Sequence, residues 1–121
     1  MFLPMTIQTH QFFQLLSDET RLRCLVLIQQ QGELCVCELT HALGLIQPKI
    51  SRHLATLRDA GVVEDRRQGQ WIYYRIHPEL SPWAREVIEL TAAEVSDYSP
   101  FSQDLTALQS MPDRPAKACC A

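Results

Sequence analysis

The sequence predicts a mainly α-helical fold with a β-hairpin wing, the arrangement of a winged helix-turn-helix. Two observations carry this prediction. Apolar residues recur with helical spacing through the first half of the chain, and two of these helical stretches are separated only by Gly44-Leu45-Ile46. After Gly61 the spacing changes to the alternation that is typical of β-strands. Helices followed by a hairpin, with a tight turn before the last of those helices, indicate this fold class.

The helices are predicted from apolar periodicity and from capping residues. Residues 8–16 read as a short amphipathic helix, and Ser17 is expected to cap the apolar helix that follows it. Residues 34–43 form a third, short helix. A fourth begins at Gln47 with Pro48 in its first turn, where a missing N–H has no cost. Its apolar residues share one face of the helix: Ile50, Leu54 and Leu57.

The alternating segment predicts two antiparallel strands, VVEDRR (62–67) and QWIYYRI (70–76), joined by a turn at Gln68-Gly69. We expect Tyr73 and Tyr74 to pack against the domain and to take no part in DNA contacts. The hairpin would form the wing beside the helix pair.

A last helix is expected after Ser81 and Pro82, with an apolar stripe that a domain of this size cannot cover alone. That stripe contains Trp83, Val87 and Leu90. The sequence therefore predicts a homodimer. We place the DNA-binding and dimerisation domain at residues 1–96 and expect residues 97–121, with three prolines and a terminal Cys-Cys pair, to form a flexible tail.

Composition points to an ordinary globular chain, with 46% apolar and 21% charged residues among 121. No apolar run is long enough to cross a bilayer, and the N-terminus lacks the basic region of a signal peptide, so we expect a cytoplasmic protein with no membrane partner. Five cysteines, an odd number in a reducing compartment, favour thiol chemistry over structural disulfides.

Charge is distributed unevenly along the chain. The net charge is −3, yet residues 47–77 alone carry +3, as expected when one face meets phosphate. In a helix-turn-helix the second helix enters the major groove, and the wing lies beside it. A solvated surface without a partner would have the same charges. The DNA-binding candidates are Gln47, Lys49, Ser51, Arg52 and His53 on the helix, with Arg66, Arg67 and Gln70 on the wing.

Two cysteines, Cys35 and Cys37, stand two residues apart at the start of the third predicted helix. Thiolates are soft ligands that select thiophilic ions, and a helix N-terminus lowers the pKa of a thiol. Positions i and i+2 of an ideal helix point about 200° apart. If both cysteines lie within the helix, an ion that binds both must therefore distort it; if Cys35 lies outside, no distortion is needed.

Four stretches of the chain resemble the arsenical repressors of the ArsR/SmtB family. They are LSDETRLR (16–23), GELCVCEL (32–39), QPKISRHLATLRDAG (47–61) and RRQGQWIYYRI (66–76). The resemblance implies a homodimeric winged-helix repressor that binds a palindromic operator. It also implies that As(III) or Sb(III) releases the repressor from DNA by binding cysteines, with no organic cofactor. Other members of the family sense zinc, cadmium or lead.

The chain departs from the family pattern at Thr40, where arsenical repressors commonly have a third cysteine. The candidates for a third sulfur are Cys119 and Cys120, from the same subunit or the other. Cys24 lies in an apolar run and is expected to be a core residue. A two-sulfur site completed by water or another donor also remains open. Zinc is disfavoured because residues 82–95 contain no histidine.

Two other functions would also use these thiols. The first is a redox-sensing repressor of the same fold, in which Cys35 and Cys37 or the terminal pair would be oxidised. The second is a thiol-based redox enzyme. The enzyme is disfavoured because the sequence contains no phosphate-binding loop, no CxxC motif and no Ser/His/Asp arrangement.

Overall fold

The computed structural model describes residues 7–115, which form six helices and one three-stranded sheet. The helices are α1 (Thr9–Leu16), α2 (Glu19–Gln31), α3 (Val36–Leu43), α4 (Gln47–Asp59), α5 (Pro82–Val95) and α6 (Phe101–Gln109). The strands are β1 (Leu34–Cys35), β2 (Val63–Gln68) and β3 (Trp71–Ile76). The winged helix-turn-helix prediction is confirmed, with α3 and α4 as the helix pair and β2–β3 as the wing. Within residues 7–115, no helix has the length and apolar character needed to cross a membrane.

The sheet has the order β1-β3-β2, and both pairings are antiparallel. Gln68 pairs with Trp71, so the two turn residues are Gly69 and Gln70, one position later than predicted. Gly69 takes the left-handed conformation, with φ of +61°, that such tight turns require. The tyrosine prediction is confirmed, because Tyr73 and Tyr74 are both buried.

Strand β1 was not predicted, and it moves the start of the third helix. Leu34 and Cys35 were expected to be helical, but they are extended and pair with Tyr74 and Tyr73 of β3. Cys35 is the N-cap of α3, which begins at Val36. A two-residue strand carries no periodicity of its own, so only the wing strand beside it reveals it.

The cap of α2 also differs from the prediction. The carboxylate of Asp18 accepts the backbone N–H of Arg21 at 3.0 Å, so Asp18 is the N-cap. Ser17, the predicted cap, instead donates its hydroxyl to the carbonyl oxygen of Gln14 at 2.7 Å and closes α1. Adjacent Ser and Asp are both good caps, and the sequence alone does not rank them.

The core lies between α2, α3 and α4 and the inner face of the wing. Ile50, Leu54 and Leu57 of α4 are fully buried, as their spacing predicted. Cys24 is buried in the same cluster and is therefore a core residue, as expected. The apolar face of α4 is thus used for packing, which leaves its polar face for other contacts.

Helix α5 uses a different face for the core than the predicted stripe. Ala84, Ile88 and Ala92, at successive turns, are buried against the domain. Trp83 and Leu90 point outward and are 38% and 71% exposed. Small side chains let α5 approach the core closely and leave the large apolar ones outside.

The outward rings of α5 join those of α1. The Trp83 ring lies edge-on against the ring of Phe12, with centroids 5.2 Å apart, and near the exposed ring of Phe13 at 6.3 Å. Phe13, Trp83 and Leu90 form what we call the outer apolar surface. It joins the α5 stripe that the sequence predicted to need cover to an exposed ring of α1.

Helix α6 lies in the segment that was expected to be a flexible tail, and the sequence analysis missed it. It packs against α3 and α2. Arg23 of α2 donates two hydrogen bonds to the buried carboxylate of Asp104, at 2.7 and 2.9 Å. The helix was missed because α2 and α3, distant in sequence, cover its apolar side. Cys119 and Cys120 lie outside the described residues.

A second buried ion pair follows α6. Nε of Arg114 lies 2.7 Å from Oε2 of Glu38, and both side chains are at least nine-tenths buried. Removing Arg114 would leave the Glu38 charge without its partner, so we expect Arg114→Met to lower the free energy of unfolding by about 3 kcal/mol. Urea unfolding measures this loss. Arg67→Met, at an exposed position, is the control; equal effects of the two changes would contradict the expected role of the pair.

Burial raises the pKa of the Cys24 thiol to about 12. The unfolded chain releases this proton near pH 9 while the folded protein keeps it, so the stability that the thiol provides is complete below pH 9 and declines toward pH 12. Between pH 9 and 11 we expect the free energy of unfolding of the wild type to fall by about 1.4 kcal/mol per pH unit more than that of Cys24→Ala. Urea unfolding across this range tests it, and parallel curves for the two proteins would refute it.

Candidate functional site: a thiol pair beside a nucleic-acid-binding face

The sulfur atoms of Cys35 and Cys37 lie 3.2 Å apart, with the Cys37 thiol donating to the Cys35 sulfur. This is possible because Cys35 is extended, with φ −78° and ψ 153°, while Cys37 lies in the first turn of α3. The two side chains therefore do not point to opposite sides of a helix. The structure has the second of the two predicted alternatives: Cys35 lies outside the helix, so an ion that binds both sulfurs need not distort α3.

The spacing of the two sulfurs fits a single thiophilic ion. Two sulfurs bound to one ion at about 2.3 Å are separated by roughly 3.3–3.8 Å for bond angles between a right angle and the tetrahedral value. The observed 3.2 Å lies just below the right-angle end of that range. Trivalent arsenic and antimony form pyramidal complexes with such angles, so this pair fits two of their three bonds.

Glu38 fixes the position of Cys35. Its carboxylate is fully buried, accepts the backbone N–H of Cys35 at 2.8 Å, and is itself bound by Arg114. The sulfur of Cys35 in turn accepts the backbone N–H of Glu38, which completes a capping box. Pairing with Tyr73 in β3 holds the other side of the residue. Cys35 is therefore at once a strand residue, a helix cap and the residue that carries one of the two paired sulfurs.

Burial raises the pKa of Cys37 to about 12, and the hydrogen bond to Cys35 and the charge of Glu38 act in the same direction. The expectation that the helix N-terminus would lower this pKa is therefore wrong. Loss of hydration and a nearby carboxylate outweigh the helix dipole here. At neutral pH the Cys37 sulfur carries its proton. This suits a ligand such as arsenous acid, whose hydroxides leave as water with the thiol protons.

The position that would hold a third cysteine is occupied by Thr40, one helical turn after Cys37. Its hydroxyl oxygen is buried, and no hydrogen-bond partner for it is found within residues 7–115. Cys24 belongs to the core and is absent from the cleft at the thiol pair. Among the described residues, no group of three or more His, Cys, Asp or Glu side chains could hold a metal ion.

Helix α4 presents its polar face to solvent. Gln47 and Arg52 are exposed, and Lys49 and Ser51 are partly exposed. His53 differs from the other candidates because its ring faces α2, with Nδ1 3.3 Å from the Arg21 guanidinium. Burial lowers its pKa, and the surrounding cations reinforce that effect. Four of the five helix candidates are therefore at least partly exposed on α4, while His53 faces α2.

The wing candidates differ in whether their side chains are held by other residues. Arg66 is tied to Glu33 by two 2.8 Å hydrogen bonds and lies over the Tyr73 ring at 4.5 Å. Arg67 and Gln70 are exposed near the turn.

Within residues 47–77, half of the basic side chains are neutralised by ion pairs: Arg58, Arg66 and Arg75. Lys49, Arg52 and Arg67 have no ion pair in the described part of the chain. These three are the cations available to phosphate.

A cleft of about 330 Å³ connects the thiol pair to this face. It lies between the start of α3, the outer side of α4 and strand β3. Cys35 and Cys37 line it together with Gln47, Ser51 and Gln70. Sequence reasoning found these five residues separately, but it missed that they share one cavity and that Trp71 forms part of its wall. The alternation in β3 was the only available signal for Trp71.

Comparison with known proteins identifies the family. Residues 18–65 match the family model described as bacterial regulatory protein, arsR family. The chain is 50% identical over 110 residues to arsenic resistance transcriptional regulator ArsR1 of Pseudomonas putida, with 90% of this chain and 84% of that protein covered.

Two solved structures share the fold. The antimony-specific transcriptional repressor AntR aligns with a TM-score of 0.60 at 29% identity, covering 75% of this chain and 85% of AntR. A homodimeric winged helix-turn-helix DNA-binding domain from Mycobacterium bovis aligns at 0.59 and 29% identity, covering 74% of this chain and 80% of that domain. The long match at half identity, together with the family model and the fold, establishes that the chain belongs to the ArsR family of bacterial regulatory proteins.

Proposed function

We propose that this chain is a metalloid-responsive transcriptional repressor, which binds operator DNA and releases it when As(III) or Sb(III) binds Cys35 and Cys37. The observation that carries the proposal is the pair of sulfurs 3.2 Å apart at the end of a cleft that reaches the α4 face. The names of its relatives agree with it, one an arsenic resistance regulator and one an antimony-specific repressor. Such a repressor acts on bacterial DNA in the cytoplasm.

DNA binding would use the exposed start of α4 in the major groove. Gln47, Ser51 and Arg52 can read base edges, while Lys49 and Arg67 can bind phosphate. Gln70 and Arg66 would lie on the wing beside the groove, with Arg66 held in place by Glu33. His53 would act indirectly, by supporting α4 against α2.

The repressor would act as a homodimer through the outer apolar surface. Phe13, Trp83 and Leu90 are all large, and more than a third of each is exposed. Pairing this surface with its twofold copy would bury it, and a domain related by homology and fold is homodimeric. Two copies of α4 would then read half-sites about 34 Å apart in a palindromic operator.

Coupling between the inducer and DNA would run through Cys35. A bound ion fixes both sulfurs, and Cys35 is also paired with Tyr73 in the wing strand. Any adjustment of the sulfur pair to its ion would therefore move β1 against β3 and α3 against α4. Release requires only that the ion prefers the adjusted arrangement to the DNA-bound one.

Cys119 and Cys120 remain candidates for the third sulfur. Arg114, five positions before Cys119, is anchored to Glu38, and Glu38 is hydrogen-bonded to Cys35. Five residues span at most about 18 Å, so the terminal pair can reach the Cys35–Cys37 pair of the same subunit. A tether this short gives an effective thiol concentration in the millimolar range.

A redox-sensing repressor is the second candidate, because two sulfurs 3.2 Å apart could form a disulfide. Oxidation by peroxide proceeds through a thiolate, however, and the raised pKa of Cys37 keeps that sulfur protonated. Arsenous acid gives up hydroxide and takes the thiol protons away as water, so it does not need a thiolate at equilibrium. For the Cys37 sulfur, the raised pKa therefore supports a metalloid over an oxidant as the inducer.

The proposal predicts that arsenite releases the protein from DNA through the two cysteines. We would follow the fluorescence anisotropy of a labelled duplex from the promoter of its own gene, under reducing conditions. Cys35→Ser with Cys37→Ser should bind this DNA as the wild type does and should not respond to arsenite. Zinc and peroxide are the control inducers.

Two results would contradict this prediction: a wild-type complex that survives saturating arsenite, or a Cys35/Cys37 variant that still responds. Cys119→Ser with Cys120→Ser tests the third sulfur separately. If the terminal pair completes the site, half-release should need about tenfold more arsenite, and if it does not, the titration should match that of the wild type.

The unpaired cations predict which residues set the salt dependence of DNA binding. Lys49→Ala and Arg67→Ala should each reduce the slope of log K against log salt by about 1, because each removes one phosphate contact. Arg75→Ala is the control, since Arg75 is exposed but ion-paired with Glu64. Anisotropy titrations from 50 to about 300 mM salt measure the slopes. An equal change for all three variants would argue against this assignment.

A further inference from the structure

Ile46 is a large apolar side chain that is 70% exposed, and it stands immediately before α4. Its apolar neighbours behave differently, because Leu45 packs against the core and Ile50 is fully buried. Packing of the turn against the core therefore does not explain Ile46. The outer apolar surface is formed by α1 and α5, so it does not include Ile46 either.

Ile46 also occupies a position that helices normally give to another kind of residue. It is the N-cap of α4, where Ser, Thr, Asp and Asn are preferred because their side chains accept a backbone N–H of the first turn. Isoleucine has no atom that can accept a hydrogen bond. One residue thus departs from the rules for both burial and capping, and such departures are expected where a residue serves function.

The backbone holds Ile46 in a defined place in the turn between α3 and α4. Its carbonyl oxygen accepts the backbone N–H groups of Lys49 and Ile50 at 3.1 and 3.2 Å. Two residues earlier, Gly44 ends α3 in the left-handed conformation, with φ of +68°. A β-branched side chain has few rotamers to lose on binding. The position of the Ile46 side chain is therefore largely set before it meets a partner.

The start of α4 is the part of the helix that would face base edges in the major groove. Among the groups on those edges, the C5 methyl group of thymine is the one that favours an apolar side chain. Gln47, the next residue, is also exposed, and its amide can form two hydrogen bonds with adenine. The two adjacent side chains thus match the two bases of A·T pairs.

We propose that Ile46 is a base-reading residue, which packs against the C5 methyl group of a thymine in each operator half-site. The inference rests on the proposed function, because it assumes that α4 enters the major groove. The DNA-binding candidates predicted from the sequence are all polar or charged. Ile46 adds an apolar contact that distinguishes thymine from cytosine, which has no methyl group at this place.

Replacing thymine by deoxyuridine tests the contact, because the two bases differ only in the methyl group. Fluorescence anisotropy would compare the full-length protein on two duplexes from the promoter of its own gene, one with thymine and one with deoxyuridine throughout. Burying one methyl group contributes a factor of about 4 to affinity, so we expect the wild type to bind the thymine duplex about 15-fold more tightly when both half-sites are engaged. Single deoxyuridine replacements would then locate the thymine in each half-site.

Ile46→Ser makes the test specific to this side chain. The variant should lose most of the wild-type preference for the thymine duplex, since serine has no apolar surface to place on the methyl group. Thermal melting should give a midpoint at or above that of the wild type, because serine can accept the backbone N–H of Lys49 as an N-cap. Loss of the preference would then not be a consequence of unfolding. Ile46→Val, which keeps an apolar β-branched side chain, should retain most of the preference.

Lys49→Ala is the matched control in the same turn of α4. It removes a proposed phosphate contact, so it should weaken binding of both duplexes and leave the ratio of their affinities unchanged. The inference would be overturned by equal binding of the two duplexes to the wild type, or by an Ile46→Ser variant with the wild-type ratio. In the second case another side chain would read the methyl group.

The outcomes also separate this inference from the proposed function. If arsenite releases the wild type from the promoter duplex and deoxyuridine has no effect on binding, the repressor mechanism stands and the Ile46 contact is wrong. If the wild type binds neither duplex, both are wrong. If a preference for thymine is present and is lost in Ile46→Ser but kept in Lys49→Ala, Ile46 reads the methyl group.

Discussion

The buried carboxylate of Glu38 is the interaction on which the rest of the structure depends. It accepts the backbone N–H of Cys35 and binds the guanidinium of Arg114, 76 positions away. A fully buried carboxylate is tolerated only with such partners. By satisfying Glu38, the chain fixes where α3 begins, how Cys35 is oriented and where the segment after α6 returns. These contacts of Glu38 therefore determine the geometry of the thiol pair.

Cys35 combines roles that are usually divided among several residues. It pairs with the wing strand, caps the first helix of the DNA-reading pair and carries a sulfur. Under the proposed function, a ligand at that sulfur would therefore act directly on both the strand and the helix. The short path matters energetically, because an inducer shifts an equilibrium only by its difference in affinity between two arrangements. Because Cys35 belongs to both β1 and α3, a small displacement of its sulfur would produce a large difference in the affinity of the inducer for the two arrangements.

The polar and apolar surfaces of the chain are clearly separated. Within residues 47–77, ion pairs neutralise Arg58, Arg66 and Arg75, and the cations without an ion pair lie on the start of α4 and near the wing turn. On the α1–α5 side, Phe13, Trp83 and Leu90 remain exposed although α5 uses small residues to pack inward. A net charge of −3 thus coexists with a local basic face, and a small core coexists with an apolar surface available for a second copy.

The sequence by itself determined the fold class, the helix pair, the wing and the two cysteines. These follow from local signals, namely apolar periodicity, glycine turns and residue chemistry, and all lie within a few residues of one another. It missed β1, α6 and the partner of Glu38, because each depends on contacts between segments far apart in the chain. The thiol pair shows the division most clearly: the sequence named Cys35 and Cys37, left open whether both lie within the helix, and predicted lowered thiol pKa values. Tertiary structure brought the sulfurs to 3.2 Å and raised the pKa of Cys37, since strand pairing and burial override helix geometry and the helix dipole.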